Sequence, residues 1–196
     1  MENKKRILTG IRPTGALHLG HYVGALETWL EYQDSFESFF LIADYQALGD
    51  NFDDVDKITD SVRQVAIDWL SVGLDPNKSN FVIQSYVPEH AELHLLLSMI
   101  TPLSWLERVP SYKDQQARLN DKELGTYGFL GYPLLQAADI LIYKAGKVPV
   151  GADQVAHIEL TREIARRFNH VYGREEGFEE QAEAAIKLMG KKAAKL

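Results

Sequence analysis

The sequence contains no cysteine. Disulfides and thiolate-held metals are therefore excluded, and the absence fits a cytoplasmic protein. No apolar run is long enough to cross a bilayer. The amino-terminal MENKKRILTG has charge but no hydrophobic stretch of the kind a signal peptide carries, so no membrane role is expected. Positive charge is in deficit: 21 Lys and Arg stand against 28 Asp and Glu, a formal net charge of −7. Proteins that live on nucleic acid usually present a basic surface, so any such contact must be local or made by residues outside this chain. Internal repeats are absent too. The remaining composition is that of a globular domain, 45% hydrophobic and 25% charged. Its 196 residues are enough for one domain with a sizeable core.

RILTGI, SFFLIAD and NFVIQS read as short apolar strands, and KVPV as a weaker fourth. Helical patterns lie between them. HYVGALETWLEYQD places Val23, Leu26 and Leu30 at helical spacing, and VDKITDSVRQVAIDWLSVG does the same before Gly73, a candidate C-cap. Strands alternating with helices predict an α/β fold, a Rossmann-like doubly wound parallel sheet. About 86–146 is too long for a simple crossover and reads as a helical insertion. The catalytic-size unit is expected over 1–173. Residues 174–196 run from glutamates to lysines, an order that suits a charged helix.

RPTGALHLGH, residues 12–21, follows the first strand. In doubly wound sheets ligands bind beyond the carboxyl ends of the strands. Glycines here let backbone approach a ligand, and a helix starting near His18 or Leu19 aims free N–H groups at the same place. His18 and His21 add donors even when neutral. A metal site would need a third ligand, and none is near in sequence. A plain glycine-rich turn with two solvated histidines stays open beside the phosphate cradle. YPLLQAADILIYKAG has Pro133 near its start and Gly146 at its end, and is apolar nearly all round. Tyr132, Gln136 and Asp139 fall at i, i+4 and i+7, on one face. Asp139 is either a ligand-reading carboxylate or one satisfied by a neighbouring helix. In VPVGADQVAHIELTREIARRFN, Gly151 permits close approach, and Asp153 either caps a helix or accepts from ribose hydroxyls. His90 and His94, four apart, read as a satisfied structural pair sooner than a metal site.

GIRPTGALHLGHYVGAL resembles the His-x-Gly-His signature of class I aminoacyl-tRNA synthetases. With VPEHAEL, YPLLQAADILIY and VPVGADQVAHIELTREIARRFN in the same order, the chain is similar to the tryptophanyl-tRNA synthetase family over about residues 6–173. The resemblance implies ATP as a substrate, assisted by Mg2+, with tryptophan and tRNA(Trp) as partners, a homodimer, and no metal ligands in the protein itself. It implies catalytic roles for His18, His21 and Lys113. It places ATP against Arg12, Pro13, Thr14, Gly20, His21, Gly151, Ala152 and Asp153. Tryptophan would meet Tyr132, Gln136, Asp139 and Gln154, with Asp139 reading the indole N–H and Tyr132 and Gln154 holding the α-amino group. The indole N–H is a donor with no acceptor, and phenylalanine would leave the carboxylate unpaired, but a tyrosine hydroxyl could also donate to Asp139, so this residue alone does not exclude tyrosine. By the same resemblance His90 and His94 lie near the dimer interface.

The chain departs from the family pattern at four positions. Arg12 stands where many members have glutamine, Gln46 where many have histidine, Gln136 where many have methionine, and Ala152 where many have glutamate. The second family signature, Lys-Met-Ser-Lys-Ser, has no match; LMGKKAAKL is lysine-rich but lacks the serine. The expectation is an amino-terminal part of a longer ligase, inactive by itself. The alternatives are a tyrosyl-tRNA synthetase, against which VPVGADQ and HIELTR argue, and a non-catalytic tryptophan-binding module.

Overall fold

The computed structural model describes residues 5–110 and 126–173, with Gly177, Glu180 and Glu183 beyond them. Lys113 and nearly all of the charged tail lie outside the described residues. Three apolar runs form parallel strands: β1 (Arg6–Ile11), β2 (Glu37–Ile42) and β3 (Asn80–Ile83), in the order β1-β2-β3. Leu8 lies opposite Phe39, and Phe39 opposite Asn80. KVPV is not a strand. It makes one parallel bridge, Ile7 to Lys147, on the free side of β1, where Leu8 N donates to Lys147 O at 3.2 Å. Pairing stops there because Pro149, two residues on, has no N–H to offer.

After β1 the chain enters one helical rod in three pieces: α1 (Leu19–His21), a π turn (Tyr22–Leu26) and α2 (Glu27–Ser35). Leu26 and Trp29 are buried, but Val23 is 61% exposed. The π turn carries one residue more than α-helical geometry allows per turn, which takes Val23 off the face the sequence pattern assigns it. Trp29 stacks on Phe40 of β2 at 5.0 Å, and Trp69 meets Trp29 edge-on at 5.5 Å. Trp69 belongs to α4 (Val55–Ser71), which follows the shorter α3 (Asp44–Asn51). Asp54 caps α4 by accepting from Lys57 N, and Gly73, at φ 100°, follows its end. These aromatics and Val65 make the core on one side of the sheet.

A second core joins four helices: α5 (Glu89–Ser98), α6 (Leu103–Glu107), α7 (Tyr127–Ile142) and α8 (Val155–Tyr172). The α7 boundaries correct the sequence reading at both ends. Thr126 caps the helix by accepting from Phe129 N at 3.3 Å, so Pro133 is its seventh residue rather than near its start. The proline removes one backbone donor, and burial of Phe129, Leu134, Ala137 and Ala138 holds the helix through it. The helix ends at Ile142, and the reversal falls on Lys144 at φ 51°, not on Gly146. Among the described residues no helix is long and apolar enough to cross a membrane.

Candidate active site

The Lys147 bridge on one side of β1 and β2 on the other make β1 the strand where the sheet order reverses. Ligands in such sheets bind in the crevice at the carboxyl ends of the strands flanking this point. A cavity of about 600 Å³ opens there, between residues 8–12 and residues 148–151. Its volume is within the range of small-molecule sites, about 300–1,000 Å³. Arg12 and Gly151 line it from the two loops, and Tyr132, Gln136 and Asp139 line it from one face of α7. Gln154 and Gln46 complete its polar wall.

Asp139 is 2% exposed and lies in a closed network. Its Oδ2 accepts from Gln46 Nε2 at 2.9 Å, and its Oδ1 accepts from Gln84 Nε2 at 2.7 Å and from His90 Nδ1 at 2.7 Å. Gln84 Oε1 in turn accepts from Gln46 N at 3.3 Å. Behind His90, the Tyr143 hydroxyl lies 2.8 Å from Nε2. Burial first, then the charges of Asp139 and Glu89, push the Tyr143 pKa up to about 12, so this hydroxyl keeps its proton and donates it to His90. The carboxylate can only accept, so the His90 proton sits on Nδ1. Of the two positions on each oxygen, those of Oδ1 are taken and one on Oδ2 is left, on the atom that meets Gln46. His90 is thus satisfied, but His94 is not its partner. His94 packs by Gly131 and Tyr127, and its buried Nδ1 has no hydrogen-bond partner among the described residues. The satisfied pair expected from the sequence is therefore one satisfied histidine and one whose Nδ1 has no partner among the described residues. Burial lowers the pKa of the His94 ring.

A second network runs along the same wall. The Tyr132 hydroxyl is 3.0 Å from His157 Nε2, and His157 Nδ1 is 2.6 Å from Gln154 Oε1. Gln136 Nε2 also donates to Gln154 Oε1, at 3.4 Å, while Gln154 Nε2 donates to Asp153 Oδ2 at 2.8 Å. Asp153 makes no helix cap: the residues before the 3₁₀ turn Ala152–Gln154 and before α8 accept no backbone N–H through a side chain. The capping half of the sequence reading is thereby removed. A methyl group on Gly151 would lie 2.6 Å from Asp153 Oδ1, so glycine at 151 leaves room for that carboxylate. Ala152 and Asp153 are exposed at the rim.

Outside the cavity lining, on the loop that runs from Arg12 into the rod, His18 and His21 form a reciprocal cap on α1. Gly20 N donates to His18 Nδ1 at 3.1 Å, and His18 N donates to His21 Nδ1 at 3.2 Å. Both Nδ1 atoms accept, so the proton of each neutral ring sits on Nε2, turned outward from the backbone. Burial first, then the neighbouring His18, holds the His21 pKa below its ordinary value. Pro13 is buried, whereas Thr14, His18 and Gly20 are exposed along the loop that continues from Arg12. No group of three His, Asp or Glu side chains among the described residues could hold a metal ion.

Gln46, Gln84, His90 and His157 are the polar groups of this site to which the sequence reading gave no role in binding. Three of them reach their partners across 49 to 93 residues of chain. His157 carried a local signal: it stands at helical spacing with the buried Leu160, Thr161 and Ile164.

Strand order and a crevice at the reversal point put the protein among the Rossmann-like α/β domains. The chain belongs to the class I tRNA synthetases (W and Y), whose family model matches residues 1–195. It is 61% identical over 192 residues to a tryptophan–tRNA ligase of Ralstonia nicotianae, covering 98% of this chain and 48% of that one. It is 59% identical over 168 residues to the ligase of the same name from Thermotoga maritima, covering 85% and 51%. The chain spans about half the length of the curated relatives it matches. Among solved structures, tryptophanyl-tRNA synthetase from Campylobacter jejuni, in complex with ADP and tryptophan, superposes with a TM-score of 0.80 at 41% identity. That match covers 86% of this chain and 51% of the other. Tyrosyl-tRNA synthetase from Archaeoglobus fulgidus, with L-tyrosine, gives 0.72 at 26% identity, covering 86% and 52%.

Proposed function

We propose that this chain carries the tryptophan and ATP sites of a tryptophan–tRNA ligase. The carrying observation is the Asp139 carboxylate, held by three donors with one acceptor position left, on the wall of a cavity at the sheet's reversal point. One remaining acceptor suits a ligand with one ring N–H. Tyr132 sits on the same wall for the α-ammonium; Gln154, whose Oε1 already accepts from His157 and Gln136 and whose Nε2 donates to Asp153, backs it instead of holding the ammonium as the resemblance implied.

The substrate carboxylate attacks the α-phosphorus of ATP, a new O–P bond forms, and pyrophosphate leaves with the electrons of the broken bond. Tryptophanyl-adenylate results. A hydroxyl of the 3′-terminal ribose of tRNA(Trp) then attacks the acyl carbon and AMP departs. No protein nucleophile is required, so the protein's work is positioning and stabilising phosphoryl charge. His18 and His21 offer Nε2–H donors to the phosphates, Arg12 adds a fixed positive charge, and Pro13, Thr14 and Gly20 shape the loop. Gly151, Ala152 and Asp153 face the ribose. Lys113 is assigned to the phosphates by resemblance alone. Mg2+ would come on the triphosphate, since the described residues provide no cage for it. Such a ligase works in the cytoplasm, where tRNA is charged.

A homodimer is part of the same proposal. Leu95, Leu96, Met99 and Leu103 are 56–70% exposed along α5 and the start of α6, an apolar strip of the kind that self-association covers.

The test is calorimetric titration of the 196-residue chain with tryptophan, tyrosine and phenylalanine. Tryptophan should bind most tightly. Equal affinity for phenylalanine would refute the role given to Asp139, and preference for tyrosine would move the chain to the tyrosine branch of its family.

A further inference from the structure

His157 lines neither the cavity nor the surface. It is fully buried, one layer behind Tyr132 and Gln154, and touches both. A carboxylate can only accept, so Asp153 fixes which end of the Gln154 amide faces it: Nε2 donates to Asp153, and Oε1 faces His157. An amide oxygen also can only accept, so the His157 proton must sit on Nδ1. Nε2 is then bare, and the Tyr132 hydroxyl must donate to it. With its proton committed to His157, the Tyr132 oxygen presents only lone pairs to the cavity.

We propose that His157 is a positioning residue that sets Tyr132 as an acceptor for the α-ammonium of the bound amino acid. The inference rests on the reading of this cavity as an amino-acid site. An ammonium has three donors and no acceptor. A tyrosine hydroxyl free to rotate would spend part of its time aiming a donor at that charge, and His157 removes this option before the ligand arrives. The ring is suited to the task because burial holds its pKa below the ordinary value, with Asp153 the opposing charge, so it stays neutral with one donor and one acceptor. The polarity is handed on in one direction, from Asp153 on the nucleotide rim to Tyr132 at the amino-acid end.

The experiment compares two ligands by calorimetry on the 196-residue chain: tryptophan, and indole-3-propionate, which keeps indole and carboxylate but lacks the amine. His157→Phe should weaken tryptophan by about tenfold or more and indole-3-propionate by less than about twofold, because only the bond to the charged amine is affected. His157→Asn, which stops short of Tyr132, should show the same selectivity and decides the matter if the phenylalanine variant folds poorly. His157→Gln, whose amide oxygen can take the place of Nε2, should restore tryptophan binding to within about threefold. Tyr132→Phe should reproduce the selective loss. Equal weakening of both ligands in the His157 variants would mean a merely structural role and overturn the proposal. Selective loss in Tyr132→Phe without loss in the His157 variants would overturn it too. If the unsubstituted chain binds neither ligand, the amino-acid reading itself falls, and this inference with it.

Discussion

Replacing Asp139 by asparagine changes one atom in a site whose hydrogen bonds can all be counted. Oδ1 takes two donors, from Gln84 and His90, and Oδ2 takes one, from Gln46. The asparagine oxygen must therefore stay at the Oδ1 position, and its NH2 must take the Oδ2 position. Gln46 can meet that NH2 by turning its own amide over, so the network survives with one rearrangement. Toward the cavity, however, a lone pair has become an N–H. Against an indole N–H, a charge-assisted bond of about 1.5–3 kcal/mol is exchanged for two opposed donors. Tryptophan affinity should fall at least about tenfold, and more than a hundredfold at the upper end. Alanine is a poorer probe, because it strands three buried donors at about 1–3 kcal/mol each, and instability would mask binding. The assay is calorimetric titration of Asp139→Asn with tryptophan, beside a urea melt of the same protein. Unchanged tryptophan affinity in a folded Asp139→Asn chain would refute the reasoning.

Gly151→Ala should push the Asp153 carboxylate aside, since the added methyl would lie 2.6 Å from its Oδ1. ATP affinity should drop severalfold with little change in tryptophan affinity, and the reverse pattern in paired titrations would count against a ribose role for that loop. Burial lowers the pKa of both His94 and His157 from 6.5, so the unfolded chain takes up protons before the folded one. Their contribution to stability is complete above pH 6.5 and is lost as pH falls below it; urea midpoints that stay level or rise between pH 7.5 and 5.5 would contradict this. Leu96→Asp should lower the apparent mass from dimer to monomer in sedimentation equilibrium, and a dimer that ignores the substitution must use another face.

Elements that depend on local pattern were legible in the sequence. The three strands carry continuous apolar runs, and the i, i+4, i+7 spacing of Tyr132, Gln136 and Asp139 places them on one wall of the cavity. Errors arose where a local signal meets a tertiary demand. Proline usually opens a helix, but Pro133 is carried inside α7 because the helix around it is buried. KVPV has strand-like residues, yet a ladder needs N–H donors along the run, and Pro149 has none, so only Lys147 bridges to β1. The partners of Asp139 were out of reach for a different reason. Gln46, Gln84 and His90 meet it only when three separate elements converge, and no spacing along the chain encodes that distance.

The π turn between α1 and α2 fixes an angular relationship. His18 and His21 stand at the head of the rod, and Leu26 and Trp29 are anchored in the core further along it. Each residue in a helix advances the side-chain direction by about 100°. The residue count between head and anchor is therefore a dial setting: one residue fewer, which would restore ordinary α-helical geometry, swings the two imidazoles about a quarter-turn around the axis relative to Trp29. The rod would remain a helix, and by the rules of local geometry a better one. The two rings would lose their present bearing relative to Trp29 while the tryptophan stayed home, so the less regular turn is the one that holds both.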